Sequence, residues 1–168
     1  MDVIKNILIV SSANPSVAAG VLAVDYYNAL KKNGSEVDFL TKNKSLEYPD
    51  FLYIQDNYVN KAIRKIIKLF DKVSFKFFRI ITKRDYKLLT QRYFFYKNEK
   101  RPPVSNRRLL KALPKDKRYD LILIMFWQEM LSASSLEALY DKYKCPIFIG
   151  CVDYSPMAGG CHFTGDCK

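Results

Sequence analysis

Asn6-Ile-Leu-Ile-Val-Ser-Ser-Ala-Asn-Pro15, closed 21 residues later by Glu36-Val-Asp-Phe-Leu-Thr41, is the stretch on which the fold turns. Its first five residues form a short continuous apolar run that breaks into Ser-Ser-Ala-Asn-Pro, the pattern of a strand buried on both faces with a loop at its carboxyl end. Pro15 and Ser16 suit the start of a helix, because proline gives up an amide that a first turn cannot pair and serine can cap. Val21, Val24, Tyr27 and Leu30 recur at helical spacing, which predicts a helix over about 17–32, stopped by Asn33-Gly34. Glu36–Thr41 then alternates charged and apolar residues as a second strand. A strand, a crossover helix and a strand make a β-α-β unit with parallel strands.

The same alternation returns near the carboxyl end. Residues 106–113 read as a short basic helix ended by Pro114, and Tyr119-Asp-Leu-Ile-Leu-Ile-Met-Phe126 as the most strongly apolar strand of the chain. Ser132 or Ser134 caps a helix through about Tyr143, with Leu136, Leu139 and Tyr140 expected to face inward. Residues 145–151, Cys-Pro-Ile-Phe-Ile-Gly-Cys, form one more short strand before a tail rich in proline and glycine. Four strands alternating with helices predict one open, mostly parallel α/β sheet of the Rossmann-like kind over residues 1–168. In such sheets ligands bind beyond the carboxyl ends of the strands, which here would gather residues 11–20, 127–132 and 152–167.

Charge divides the chain unevenly. It carries 28 Lys and Arg against 17 Asp and Glu, a formal charge of +11. Residues 58–101 hold 14 basic and three acidic side chains, so that one segment accounts for the whole surplus. It also holds ten aromatic rings. Drawn on a helix, Ile63, Ile66, Ile67, Phe70, Val73, Phe77, Phe78 and Ile81 fall on one stripe, and Arg64, Lys68, Lys72, Lys76, Arg79 and Lys83 on another. An apolar, ring-bearing face flanked by cations fits an interfacial helix on an anionic membrane surface. Packing of the stripe on the domain, with the charges facing solvent, is the plainer reading. Nucleic acid is the third candidate for the charge, but no nucleic-acid module signature is present and none is expected to bind.

The longest uncharged run, residues 6–24, is broken by serines, asparagines and a proline, so it is no membrane span of about 20 apolar residues. The first residues lack the long apolar core of a signal peptide. A cytoplasmic location is therefore expected, peripheral on the inner face of the plasma membrane, with the four cysteines as thiols or ligands.

Few motifs carry chemistry by spacing alone. Ser12, Ala19 and Gly20 lie where a strand meets a helix N-terminus, a position suited to phosphate, although a G-x-G-x-x-G fingerprint is absent. Cys161, His162 and Cys167 are too few and too widely spaced to complete a zinc site, so no metal or cofactor is expected from them. Asp153 follows a strand directly, where a hydroxyl-binding carboxylate or a simple turn residue is equally in place. Trp127 could stack on a sugar or cover the sheet edge, and His162 is the sole histidine. There is no phosphate-loop lysine motif, Ser-His-Asp set or nucleophile elbow.

The tail Pro146-Ile-Phe-Ile-Gly-Cys-Val-Asp-Tyr-Ser-Pro-Met-Ala-Gly-Gly-Cys-His-Phe-Thr-Gly-Asp-Cys167 resembles a segment of bacterial glycosyltransferases of the family 4 type. These read Pro-Val-Val-Trp-Thr-Leu-His-Asp-Met-Trp-Pro-Phe-Thr-Gly-Gly-Cys-His-Tyr at that place. Residues 119–127 are similar to the family's Asp-Leu-Ile-His-Leu-His-Trp strand, and residues 6–34 to its first strand and helix. Residues 50–100 lie outside the likeness. The resemblance implies the acceptor-side, N-terminal half of a two-domain GT-B enzyme, with the C-terminal donor-binding domain missing and the fragment inactive alone. Such an enzyme moves a sugar from a nucleotide-sugar to a lipid-linked or polysaccharide acceptor with retention of configuration. It also implies roles for Ser12, Ala19 and Gly20 at the donor phosphate and for Trp127, Asp153 and His162 at the acceptor, with Asp153 as the catalytic candidate. Val152 stands where the family has histidine, and residues 17–20 replace its Gly-Gly pair. The alternative is a non-catalytic module that docks a polysaccharide-assembly complex to the membrane through Arg64, Lys68, Phe70, Lys72, Lys76, Phe77, Phe78 and Arg79.

Overall fold

A computed structural model describes residues 4–17, 19–55, 66, 69, 70, 73, 104–127 and 130–150. Their order is β1 (Asn6–Ser11), α1 (Ala19–Lys32), β2 (Glu36–Thr41), β3 (Leu52–Tyr53), α2 (Asn106–Lys111), β4 (Leu121–Met125), α3 (Ala133–Tyr143) and β5 (Ile147–Gly150). The strands form one sheet in the order β3-β2-β1-β4-β5, with every neighbouring pair parallel. This is an α/β, Rossmann-like core. Among the described residues the four predicted strands and the helices near 17–32, 106–113 and 132–143 are present with ends shifted by up to two residues, and a fifth strand, the two-residue β3, joins them at one edge.

Alternation along the strands divides the core between two faces. Leu8, Val10, Leu40, Ile122 and Ile124 point to one side, where they pack with Leu109 from α2 and Leu139 from α3. Ile7, Ile9, Val37, Phe39 and Met125 point to the other, beneath Ala23 and Val24 of α1. Both faces are covered, which is why β1 and β4 read as unbroken apolar runs.

Two of the helices, α1 and α3, pack with a slightly different phase from the expected one. In α1 the buried stripe is Gly20, Ala23 and Val24, with Tyr27 and Leu30 half-buried, while Val21 is exposed. In α3 the inward positions are Ser135, Leu136, Leu139 and Tyr143, and Tyr140 is 52% exposed rather than inward. The turn of α3 follows from Ser135, whose hydroxyl accepts from the amide of the N-cap Ser132 at 3.2 Å and donates to Asn106 Oδ1 at 3.1 Å. That pair of bonds draws a polar residue into the helix–helix seam and rotates Tyr140 out. Lys144 ends α3 in the left-handed region (φ 50°), its amide donating to the Tyr140 carbonyl.

The amino-terminal edge of the sheet is tied by side chains. Asp120, just before β4, accepts from the amides of Lys5 and Asn6 at 3.0 and 2.9 Å. Asp38 of β2 accepts from the Tyr119 hydroxyl at 2.5 Å and from Lys117 Nζ at 3.0 Å. Tyr119 in turn meets the Tyr143 ring edge-on.

The basic segment 58–101 lies outside the described residues except at Ile66, Leu69, Phe70 and Val73. These four are helical and exposed, by 54%, 64%, 72% and 54%. Among the described residues no helix is long and apolar enough to cross a membrane.

Candidate functional site

The chain runs β1, β2, β3 toward one edge, then returns to place β4 on the far side of β1. The point where that order reverses lies between β1 and β4, the place beyond the strand tips where open α/β sheets bind ligands. Ser11 and Met125 pair at the end of the ladder, and one residue further the Ser12 amide still donates to the Phe126 carbonyl at 2.7 Å. Past that bond the two chains part. The first leads to α1 over one face of the sheet; the second leads through Trp127 to α3 over the other.

The first loop is held by its own polar groups. Ser11 Oγ accepts from the Ala13 amide, Asn14 Oδ1 from the Ser16 amide, and the Asn14 carbonyl from the Val17 amide. The Val17 carbonyl accepts from Gly20 at 2.8 Å. Gly20 belongs to the first turn of α1, and a Cβ there would lie 1.7 Å from the Asn14 carbonyl oxygen. Its bareness thus lets the helix start press against the loop backbone, so helix–loop packing is a sufficient reason for the glycine. The first turn of α1 holds no acidic side chain of its own, and the Glu47 carboxylate reaches Ser16 just before it.

The second loop begins with a strained residue. Phe126 has φ 52°, a region that costs a bulky side chain on the order of 1–3 kcal/mol. The turn sends Trp127 onto the core beneath α3, half-buried, with its carbonyl accepting from Met130 and Leu131. Of the two roles open to Trp127 in the sequence, covering the core is the one its described packing fills.

Ser12, Ala19 and Gly20 therefore lie on the segment that follows β1, and Trp127 on the one that follows β4; Ser12 and Gly20 are buried and Trp127 is half-buried. Asp153, His162, Val152, Cys161 and Cys167 lie outside the described residues, as do Arg64, Lys68, Lys72, Lys76, Phe77, Phe78 and Arg79. Among the described residues no group of three His, Cys, Asp or Glu side chains could hold a metal.

Sequence reasoning missed Phe126, whose strain has no sequence signature, and Asn43. Asn43 Nδ2 donates to the Ser12 carbonyl at 2.9 Å and so fastens the loop after β2 to the loop after β1. Beside that link, an open hollow of about 310 Å³ lies over the tips of β2 and β3. The polar, proline-bearing stretch 41–49 was its only trace in the sequence.

Shifted titrations lie mostly at the other end of the sheet. Burial, with Asp38 second, pushes the Tyr119 phenol far up, and burial lifts Tyr143 to about 12. Burial also raises the Cys145 thiol, which leaves it less reactive. The amides of Asn6 and Lys5 hold Asp120 below the usual carboxylate range. At the strand tips Tyr48 is raised, by desolvation first and by Glu47 second.

Comparison of the chain with protein-family models, with curated proteins and with solved structures finds no match.

Proposed function

We propose that this chain is the acceptor-side half of a retaining, GT-B-type glycosyltransferase that works at a membrane surface. The observation that supports the reading is the 3-2-1-4-5 strand order, whose reversal between β1 and β4 is where open α/β sheets bind ligands. β5 ends at Gly150, immediately before the Gly-Gly-Cys-His-bearing segment that resembles the transferase family. We take the motif-bearing stretch that follows β5 in the sequence to be where an acceptor meets a donor held by a second domain. In this reading the start of α1 faces the donor phosphates, Trp127 borders the acceptor, and Asp153 orients the acceptor hydroxyl. The donor is a nucleotide-sugar, and the protein brings no cofactor of its own to the reaction.

The exposed helical residues Ile66, Leu69, Phe70 and Val73 support membrane contact, because they offer apolar surface within the stretch richest in lysine and arginine. Val152, standing where the family has histidine, favours a second reading in which the module docks an assembly complex and performs no transfer.

The test is an assay with labelled nucleotide-sugars and a lipid extract. The 168-residue chain alone should transfer nothing, and transfer with retained configuration should appear when a donor-side domain is joined to it or added in trans. Turnover by the chain alone, or inverted product, would overturn the proposal; no transfer with any donor-side domain would leave the docking reading in its place.

A further inference from the structure

We infer that the hollow over the tips of β2 and β3 is a binding site for a sugar ring that carries a phosphate. The inference does not depend on the transferase reading, since a chain without catalysis can still hold such a ligand. Its volume of about 310 Å³ lies at the lower end of small-molecule sites, and its place beyond the carboxyl ends of parallel strands is where such sheets bind ligands.

The walls are fixed before any ligand arrives. On one side Asn43 reaches the Ser12 carbonyl, and its own amide donates to Thr41 Oγ1 at 3.2 Å. On the other, Glu47 Oε2 accepts from the Ser16 hydroxyl at 3.0 Å, which fastens the loop to the start of α1. The floor is a stack of rings: Tyr48 lies on Phe51 with centroids 4.8 Å apart, and Phe51 lies on Phe39 at 4.3 Å. Tyr27 closes the stack edge-on. A loop held at two points above a rigid floor loses little freedom on binding, which favours a small ligand.

The chemistry of the lining selects the ligand. Lys44 is the charged residue among those that border the hollow, and its Nζ is carried 5.3 Å from the centroid of the Tyr53 ring. The ring thereby holds the ammonium at the mouth, as a point charge for a phosphate. Ser45 Oγ accepts from the Glu47 amide at 3.2 Å and keeps its own proton to donate to a ligand oxygen. Tyr48 offers a ring to the apolar face of a pyranose. Leu46 stands at the rim 94% exposed, an apolar side chain that the fold does not bury. An ammonium, a hydroxyl donor and an aromatic face around one small volume match a phosphorylated sugar better than a neutral sugar or a bare anion.

The experiment follows the amide resonances of Asn43, Ser45 and Leu46 in the isotope-labelled 168-residue chain. Three probes are titrated: glucose 1-phosphate, methyl glucoside and inorganic phosphate. Glucose 1-phosphate should shift these amides saturably. The two half-ligands should bind at least about tenfold more weakly, the factor expected when one charge-assisted contact or one ring contact is lost. Lys44→Ala should weaken glucose 1-phosphate about tenfold and Lys44→Arg by less than about threefold, both at an exposed position that folding does not depend on. Absence of loop shifts at about 20 mM ligand, well past a millimolar Kd, overturns the site. Equal binding of inorganic phosphate makes it an adventitious anion contact, and an unaltered Lys44→Ala removes the phosphate from the assignment.

Discussion

Gly20 and Asp120 show how much a single residue says before and after its surroundings are known. In the sequence Gly20 is a glycine near a helix start, and phosphate binding is the chemistry that comes to mind. In the fold its missing side chain has a local cause, the Asn14 carbonyl 1.7 Å from where a Cβ would stand. Backbone cannot swing away as a side-chain end can, so Gly20→Ala should cost about 2–4 kcal/mol by urea unfolding. Gly34→Ala meets nothing within 4 Å but inherits φ 87°, and should cost only about 1–2 kcal/mol. A Gly20→Ala loss no larger than that of Gly34→Ala would remove the packing explanation. Asp120 works through its charge. Two amides donate to a carboxylate whose pKa they lower, so the folded chain holds the ionised form more firmly than the unfolded chain does. That contribution is complete above the ordinary aspartate range and fades as pH falls through the lowered value. Because the group is exposed, Asp120→Ala should cost only about 0.5–1 kcal/mol at pH 7. The gap between the two proteins in urea midpoint should narrow as pH falls below the ordinary aspartate range; a gap that stays constant on acidification would mean that the carboxylate charge is not its source.

Among the elements, the strands were legible because burial on both faces leaves little choice of residue. β1 and β4 could be drawn from apolar runs alone, and β2 from its alternation of charged and apolar residues. β3 could not: Leu52-Tyr53 is a two-residue edge strand, set by pairing with Leu40 and Thr41 rather than by any period of its own. Helix phase was the second gap. A stripe through Val21 or Tyr140 is as good by spacing as the real one, and the choice was made by Gly20 in α1 and by the Ser135–Asn106 bond in α3. β2 also holds a polar residue that pattern alone would turn to solvent. Asp38 shares its face with Leu40 and is paid for by Tyr119 and Lys117. Asp38→Ala should therefore cost about 2–3 kcal/mol, since it leaves the buried Tyr119 hydroxyl without that acceptor. The same corner sets an alkaline limit. Tyr119 and Tyr143 hold their protons more tightly folded than unfolded, so their contribution is whole below pH 10 and is lost as pH rises through the lifted values, from about 10 to 12 and above. Tyr119→Phe should lower stability by about 1 kcal/mol at pH 7 and reduce its fall above pH 10. An unchanged alkaline slope in urea titrations would place the proton linkage elsewhere.

On the scale of the whole molecule, the parts that sequence made plain and the parts it left open differ in what organises them. The sheet is organised by burial, which the alphabet of apolar residues records directly. The switch point is set by the reversal of strand order between β1 and β4, which no single segment contains. The charge is organised by neither: residues 58–101 hold the entire surplus, while the sheet and its helices are close to neutral. A surplus of eleven charges repels itself, the proposed membrane role would set it against an anionic surface, and the four described side chains of that segment are exposed apolar groups. Both features lead to one expectation. In flotation assays the chain should bind vesicles containing about 30% anionic lipid and release from them as salt screens the basic residues, because each basic residue near the surface contributes about 1 kcal/mol. The double variant Leu69→Ser with Val73→Ser keeps every charge and removes two exposed apolar side chains, so it should fold normally and lose at least about tenfold in partition. If that variant floats as well as the parent while salt still strips both, the surface is held by charge alone and the apolar stripe belongs to some other contact. If neither protein floats at low salt, the membrane role falls, and the basic segment must answer to a soluble polyanion.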